Sequence, residues 1–440
     1  MADQRYDDLN ADVDSSLLGQ SFLRRVVFAL LTESKLLVGW VCTNWATPAC
    51  CLGAASIAML AWSSEQRLAP MALLLFLPML IYRAENRLGA FFVAASYYGM
   101  ATRAVPGIIA GFFPGWPLGA NWAVWAAHSV LLALPWALTY QSRGKTPLRR
   151  VLGVLAALIL LSVPPLGLFH WGSPLMVAGL FFPAWRGWGL LATLALLALV
   201  ATCTRRSIAR QVGIAVLALS AYLANLTFPV PSTPSGWLAL SLRLGKSPEL
   251  WSDDMLVRRK FLAETARFAL EEGNIVVVLP ESISGSSRRS QTDIWRDVAV
   301  YARSLGATVL VGEEVWNQEN TSFRNALVGY GDGGNGSVIV SSQVPMPIGD
   351  WKFGYDGGAQ TNLLGRDVVR LHGQRVAFSM CYEDFILWPH RGLLSGNADL
   401  LVSAANQWPS SGTSAEIAQD VSRHALARLA GVPLLTAKNH

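Results

Sequence analysis

Charge is what this sequence has least of. Asp, Glu, Lys and Arg make up 15% of its 440 residues while hydrophobic ones make up 52%; a soluble domain ordinarily carries about 25% charged residues. Acidic side chains are missing altogether between Glu85 and Glu249. That stretch has too few polar groups to cover a water-exposed fold. The net charge of +6 follows from the same shortage, since residues 1–228 hold 16 Lys and Arg against 8 Asp and Glu, and residues 229–440 hold 19 against 21. A basic excess confined to an apolar half, with no aromatic-basic surface motif, argues against direct nucleic-acid binding. Cysteine is scarce too. Cys42, Cys50, Cys51 and Cys203 lie in or beside apolar runs and Cys381 stands alone in the C-terminal half, which excludes a disulfide framework there. Zinc-type Cys/His spacing is absent, and His372, His390 and His424 lack ligand spacing. Neither a metal nor another cofactor is expected.

What the first half does contain is apolar runs, at about 48–63, 68–82, 88–105, 121–140, 150–168, 187–203 and 208–227. We read them as about seven spans. Several are shorter than the roughly 20 residues an isolated span needs, so they must tilt or pair closely. Residues 1–35 are polar, with Asp7, Asp8, Asp12 and Asp14, lack a signal peptide's pattern and read as a cytoplasmic tail before a transmembrane domain over 36–228. Lys and Arg near span ends stay cytoplasmic. With the N-terminus inside, the inner side carries Arg24, Arg25 and Lys35, then Arg83 and Arg87, then Arg143, Lys145, Arg149 and Arg150, then Arg205, Arg206 and Arg210. The outer side carries little beyond Arg67, Arg103 and Arg186. An odd number of spans leaves the remainder outside the cytoplasm. A transporter reading finds little support, because Arg103, near a span end, is the one charge lying in apolar sequence.

Residues 229–236, rich in Pro and Ser, form a stiff link. Beyond it, from 237 to 440, short apolar runs alternate with amphipathic ones. Strands are expected at 237–242, 275–279, 307–312, 367–371, 375–380, 399–404 and 432–437, and helices at 253–272, 291–305, 387–395 and 414–430. Asn325–Tyr330 and Ser337–Ser341 flank a glycine-rich turn and read as a hairpin. This is an α/β domain long enough to bury a full core.

Two of these strands end in reactive groups. Val376-Ala377-Phe378-Ser379-Met380 delivers Cys381 beside Glu383 and Asp384, and Val276-Val277-Val278-Leu279-Pro280 delivers Glu281. A lone buried cysteine is by default inert packing, and a Pro-Glu pair at a strand end is often a solvated turn. The adjoining carboxylates and the matching strand favour a cysteine nucleophile with a glutamate base.

Leu279-Pro280-Glu281-Ser282, Asn325-Ala326-Leu327 and Met380-Cys381-Tyr382-Glu383, in this order, resemble the nitrilase (carbon–nitrogen hydrolase) superfamily. With its apolar half, the chain is also similar to apolipoprotein N-acyltransferases. The segments Gln343–Pro347, Cys381–Pro389, Asn406-Gln407-Trp408 and Ala425–Leu434 look most like the TraB family of conjugal-transfer proteins of rhizobial and Ti-type plasmids. The resemblance implies an α-β-β-α sandwich in which Glu281 is the base, Cys381 the nucleophile and Glu383 a supporting carboxylate. Asp350 stands where the acyltransferases have a second glutamate. Asn325, Asn406 and Trp408 fall beside the site, the last two at the pocket mouth or as structural edge residues.

One departure is serious. Counting back from Asp350, the position of the superfamily lysine falls on Ser342, and no Lys lies between Lys260 and Lys352. A thiolate attacking a carbonyl builds negative charge on oxygen, and removing a donor to it lowers the rate by about 10²–10³. Lys352, Arg324 and the Arg288/Arg289 pair are the available replacements. The acyltransferases also carry a further span after the catalytic domain, which is not expected here before His440. The resemblance therefore implies either a Cys-dependent amidase or acyltransferase of a bacterial inner membrane, its C-terminal domain periplasmic, or a degenerate fold serving as a scaffold of the mating apparatus. Partners would be membrane lipid, a membrane-inserted or pilin-like peptide, and other conjugation proteins.

Overall fold

The computed structural model describes residues 46–64, 67–142, 144–203, 207–249, 252–286, 292–351 and 357–440. The tail over 1–35 with Arg24, Arg25 and Lys35 lies outside the described residues, as do Cys42, Arg143, Arg205, Arg206, Arg288, Arg289 and Lys352.

The apolar half is helical: α1 (Ala46–Ala61), a 3-10 turn (Ala69–Phe76) running into α2 (Leu77–Ile81), α3 (Arg87–Ala101), α4 (Val105–Phe112), α5 (Leu118–Thr139), α6 (Pro147–Leu160), α7 (Ala178–Phe181), α8 (Arg186–Thr202) and α9 (Ile208–Leu226). Every apolar run read as a span coincides with one of these helices. Among the described residues, however, only α5 and α9 are long and apolar enough to cross a bilayer, and Pro174–Phe181 with α8 makes a third if that pair, bent by 117°, is one span. Proline marks the start of several of the short pieces, although Pro135 lies inside α5, the longest. Pro occupies the first turn of the 69–76 segment, of α2, α4 and α6, and of the 174–177 turn, where it starts a helix but cannot continue one. The run read over 88–105 accordingly ends at Ala101, and Pro106 opens α4 as a separate element.

Residues 229–236 carry neither helix nor strand, and the rest of the chain is α/β. One sheet has the order β1 (Trp237–Ala239), β3 (Val276–Val278), β4 (Thr308–Trp316), β5 (Ser322–Gly331), β6 (Gly334–Ser341), with β7 (Gly358–Ala359) paired to β5. The other has the order β2 (Ser241–Leu242), β11 (Leu434–Asn439), β10 (Leu400–Asn406), β9 (Gln374–Met380), β8 (Val368–Leu371). The single strand expected over 237–242 is thus corrected. It breaks at Leu240, whose N–H donates to Val278 in the first sheet (2.9 Å) and whose carbonyl accepts from Lys438 in the second (3.1 Å).

Period-two alternation shows how the sheets face each other. Val276, Val278 and Leu310 of the first pack against Val376, Phe378, Met380, Val402 and Ala404 of the second. The intervening Val277, Val309 and Val311 turn outward onto α10 (Asp253–Glu271) and α11 (Thr292–Ser304). Ala377 and Leu401 turn the other way, toward α13 (Ser414–Ala430), which follows the short α12 (Arg391–Leu394). This is the α-β-β-α sandwich. Both long helices begin where capping chemistry allows: Ser252 accepts from Met255 N–H (3.3 Å) ahead of Asp253 and Asp254, and Thr413 accepts from Ala415 N–H (3.2 Å) ahead of Glu416. Gly431, at φ +72°, ends α13 in a left-handed turn.

The outer face of α13 does not meet water. Ala418, Val421, Ala425 and Leu426 belong to one core with Val93, Tyr97, Leu175 and Leu197 of the apolar half. The closest approach is at Gly179 of α7, where a Cβ would lie 2.0 Å from the Ala425 carbonyl oxygen. Gly179→Ala is therefore expected to destabilise the chain by about 1–3 kcal/mol through overpacking. Thermal unfolding of the detergent-solubilised chain measures it; an unchanged Tm would mean that α7 does not bear on α13.

Candidate active site

Because β3 and β9 face each other across the inter-sheet core, their C-terminal ends reach the same edge of the sandwich. Each chain turns sharply there. Cys381 has φ +45° and Ser282, next to Glu281, has φ +46°; non-glycine residues held in this region cost about 1–3 kcal/mol and need support from their surroundings. Gly312 of β4 makes room for the Glu281 turn, since a Cβ there would stand 2.0 Å from the Pro280 carbonyl oxygen.

The two side chains meet. Glu281 and Cys381 line the same cavity close enough to shift one another's protonation, and the thiol Sγ donates to the Asn406 carbonyl oxygen at 3.9 Å. Glu281 is further held by Asn325 Nδ2 and by the Asn406 N–H, which donates at 3.1 Å. Burial pushes the Glu281 carboxyl up to about 8, with the nearby Asp350 charge adding to it; the bonds from Cys381, Asn325 and Asn406 oppose the shift without cancelling it. Burial and then Glu281 push the Cys381 thiol up as well. With the thiol raised further still, the sulfur keeps its proton, and it is the ionised fraction of Glu281 that can take that proton during attack rather than before it.

Two carboxylates beside the thiol hold its turn, and neither lines the cavity. Glu383 Oε1 accepts from Ser342 Oγ (2.8 Å), Gln343 N–H (2.5 Å) and Val344 N–H (2.9 Å), while Oε2 accepts from Met380 N–H (2.9 Å). Even four donors do not offset burial, which raises the Glu383 pKa to about 7. Asp384 accepts from Ser379 Oγ (2.6 Å), Ser403 Oγ (2.9 Å) and Gln419 Nε2 (2.9 Å). Gln419 also donates to the Cys381 carbonyl (2.9 Å). Arg423, wholly buried, sits 3.8 Å from Asp384 and 2.9 Å from Asp420.

The thiol opens on a cavity of about 420 Å³, within the usual range for a small-molecule site. Of the residues singled out from sequence, Glu281, Cys381, Asn325, Asp350, Asn406 and Trp408 line it. Asp350 is raised to about 7 by burial and then by Glu314, itself a lining residue raised by burial. Arg324 is not brought in. It is exposed between the lining residues Phe323 and Asn325, on the opposite face of β5. Ser342, at the lysine position, is buried and spends its hydroxyl on Glu383. Among the described residues no group of three or more His, Cys, Asp or Glu could hold a metal ion.

Sequence reading missed two sets of lining residues. Lys246 lies in the loop after β2, its Nζ 5.2 Å from the Trp408 ring centroid at the cavity rim; nothing in its local sequence marks it. Ile108, Phe112 and Trp171 come from the apolar half. Trp171 packs on Phe385 with centroids 4.2 Å apart and rings tilted by 34°, and Tyr382 OH donates to the Leu168 carbonyl (3.0 Å), so the loop after α6 grips the turn that carries the thiol.

No protein-family model matches the chain. Among solved structures, it is similar to an amidase from Nesterenkonia sp. (14% identity, 46% of this chain and 74% of that one, TM-score 0.31). It is also similar to a carbon–nitrogen hydrolase from Helicobacter pylori (14% identity, 46% and 72%, TM-score 0.33). A curated relative named probable conjugal transfer protein TraB from Sinorhizobium fredii is 30% identical over 391 residues, 86% of this chain and 94% of that one. Conjugal transfer protein TraB from Agrobacterium fabrum is 31% identical over 414 residues, 90% of this chain and 93% of that one. At that identity over nearly the whole of both chains, this chain belongs to the TraB family of conjugal-transfer proteins.

Proposed function

We propose that this protein is a membrane-embedded, Cys381-dependent amidase or acyltransferase that acts on a lipid-borne or membrane-peptide substrate in the service of plasmid conjugation. The observation that carries the reading is that Glu281 and Cys381, both held at Asn406, line one cavity walled partly by the apolar half. Glu281 takes the thiol proton as Sγ attacks the substrate carbonyl carbon; the bond to the leaving amine or alcohol breaks, the leaving group takes the proton from Glu281, and a thioester remains. Water or an amine then attacks the thioester, giving its proton to Glu281, which returns it to the sulfur. Asn325 and the Asn406 N–H orient Glu281 throughout. Asp350 supports the pair as a neighbouring carboxyl, Trp408 borders the mouth, and Lys246 supplies positive charge at the rim.

In this reading the chain lies in the bacterial inner membrane, N-terminus cytoplasmic and C-terminal domain periplasmic, with lipid, a pilin-like peptide and other conjugation proteins as partners. The two long apolar helices and the bent third segment support embedding, and the TraB relatives support the process. A second reading, a scaffold that has lost catalysis, rests on Ser342 standing at the lysine position.

A thiol-directed acyl probe separates the two. Labelling is expected at Cys381 by mass spectrometry, abolished in Cys381→Ala and slowed about 10²-fold or more in Glu281→Gln, the loss typical of a removed general base. Undiminished conjugation in Cys381→Ala, with no labelling of the native chain, would favour the scaffold.

The rate of labelling should also depend on pH. Glu281, raised to about 8, is largely protonated at pH 6 and becomes an available base only as pH rises. The rate is therefore expected to climb about tenfold per unit from pH 6 and to flatten above about 8. In Glu281→Gln the plateau above about 8 should vanish, leaving a slower rate that keeps rising with the thiolate fraction. A native profile already flat from pH 5 would exclude Glu281 as the base.

A further inference from the structure

The established relatives say nothing of what fills the cavity, but its walls do. The sandwich contributes carboxyls and the thiol; the apolar half contributes Ile108, Phe112 and Trp171. Phe112 holds the central position among these. Its ring lies 5.6 Å from Trp408, centroid to centroid, and a Cβ on Gly349 would touch it at 3.3 Å. It is thus wedged between the loop carrying Asp350 and the 3-10 turn carrying Trp408. The helix behind it has little freedom to retreat: a Cβ on Gly111 would lie 2.9 Å from the Pro409 carbonyl oxygen, and one on Gly107 would lie 3.3 Å from Thr413 Cγ2. Ile108, one turn earlier on the same face of α4, is buried and lines the same cavity.

Polarity then decides what lies against this wall. An uncharged hydrocarbon gains about 0.8 kcal/mol for each methylene it buries, whereas a polar group there would meet the apolar side chains of Ile108 and Phe112 and a single donor, the buried indole N–H of Trp171. We propose that the cavity is a pocket for the apolar chain of an acyl group, running along Ile108 and Trp171, and that the Phe112 ring sets the length of chain accepted. This rests on the reading of Cys381 as an acyl-accepting nucleophile and adds to it the substrate class and a specificity-determining residue from the other half of the protein.

The test uses the full chain in detergent micelles with 4-nitrophenyl esters of straight-chain acids from four to fourteen carbons. The thiol sulfur attacks the ester carbonyl carbon, Glu281 takes the thiol proton, the carbon–oxygen bond breaks and 4-nitrophenolate leaves with the electron pair. Its absorbance gives the rate, and the mass of the Cys381 adduct gives the acyl group. In Phe112→Ala the ratio of dodecanoyl to hexanoyl acylation rates is expected to rise about tenfold over the native chain, and in Phe112→Trp to fall about tenfold, the scale on which apolar pockets discriminate chain size. Phe112→Leu, which keeps most of the wedge, gives an intermediate ratio and serves if Phe112→Ala unfolds. Adducts at Cys381 with one chain preference across native and variant proteins would overturn this inference and leave the thiol chemistry standing. Absence of any adduct in the native chain would overturn the thiol chemistry itself, and the inference with it.

Discussion

The structure depends most on the turn at Cys381. A β-strand must stop, place its next residue in the left-handed region and enter a 3-10 turn (Cys381–Phe385) within one peptide unit. Left alone, that backbone would relax into a neighbouring well. The residues two and three positions on prevent it, Glu383 by collecting the N–H groups of Gln343, Val344 and Met380, and Asp384 by binding Ser379, Ser403 and Gln419. Hydrogen bonds contribute about 0.5–1.5 kcal/mol each net, so several together are on the scale of the strain of one residue. Burial nonetheless holds the Glu383 pKa near 7, which shows how strongly the site is withdrawn from water.

From that turn the organisation spreads in two directions. Toward the sandwich, Gln419 and Arg423 tie it to α13, and Gln343, through its amide and side chain, ties it to the segment leading to Asp350. Toward the apolar half, Tyr382 and Phe385 reach the loop at Leu168 and Trp171. The reactive turn is therefore the place where the two halves of the chain are joined, and the cavity is a property of both. The sandwich here has one wall of its cavity made of helices that a free-standing sandwich would not possess.

Much of the sandwich could be read in advance. Val276–Val278, the Gly-rich hairpin turn and the Thr413 and Gly431 boundaries of α13 carry local signals strong enough to name the element. Glu281 and Cys381 were legible for the same reason, as reactive residues at the tips of apolar strands. Ser342 was found at the position where a lysine was sought, but only the fold reveals that its hydroxyl serves Glu383. Lys246, Ile108, Phe112 and Trp171 were not legible at all. Each reaches the cavity across more than a hundred residues of intervening chain from Cys381, and no periodicity or spacing records such a meeting. Arg324 failed for a simpler reason, since its neighbour Asn325 already faces inward and a strand alternates.

By itself the sequence determined that an acid-free apolar half precedes an α/β half, and that one thiol and one carboxylate end two strands, because composition and short-range periodicity act within a few residues. Only the tertiary structure decided that the two strand ends share a cavity, that proline breaks divide the apolar runs into pieces of unequal length, and that helix α4 closes the site. Those outcomes depend on which surfaces pack together. Packing is fixed by shape and burial summed over the whole chain, and no local stretch of residues contains that sum.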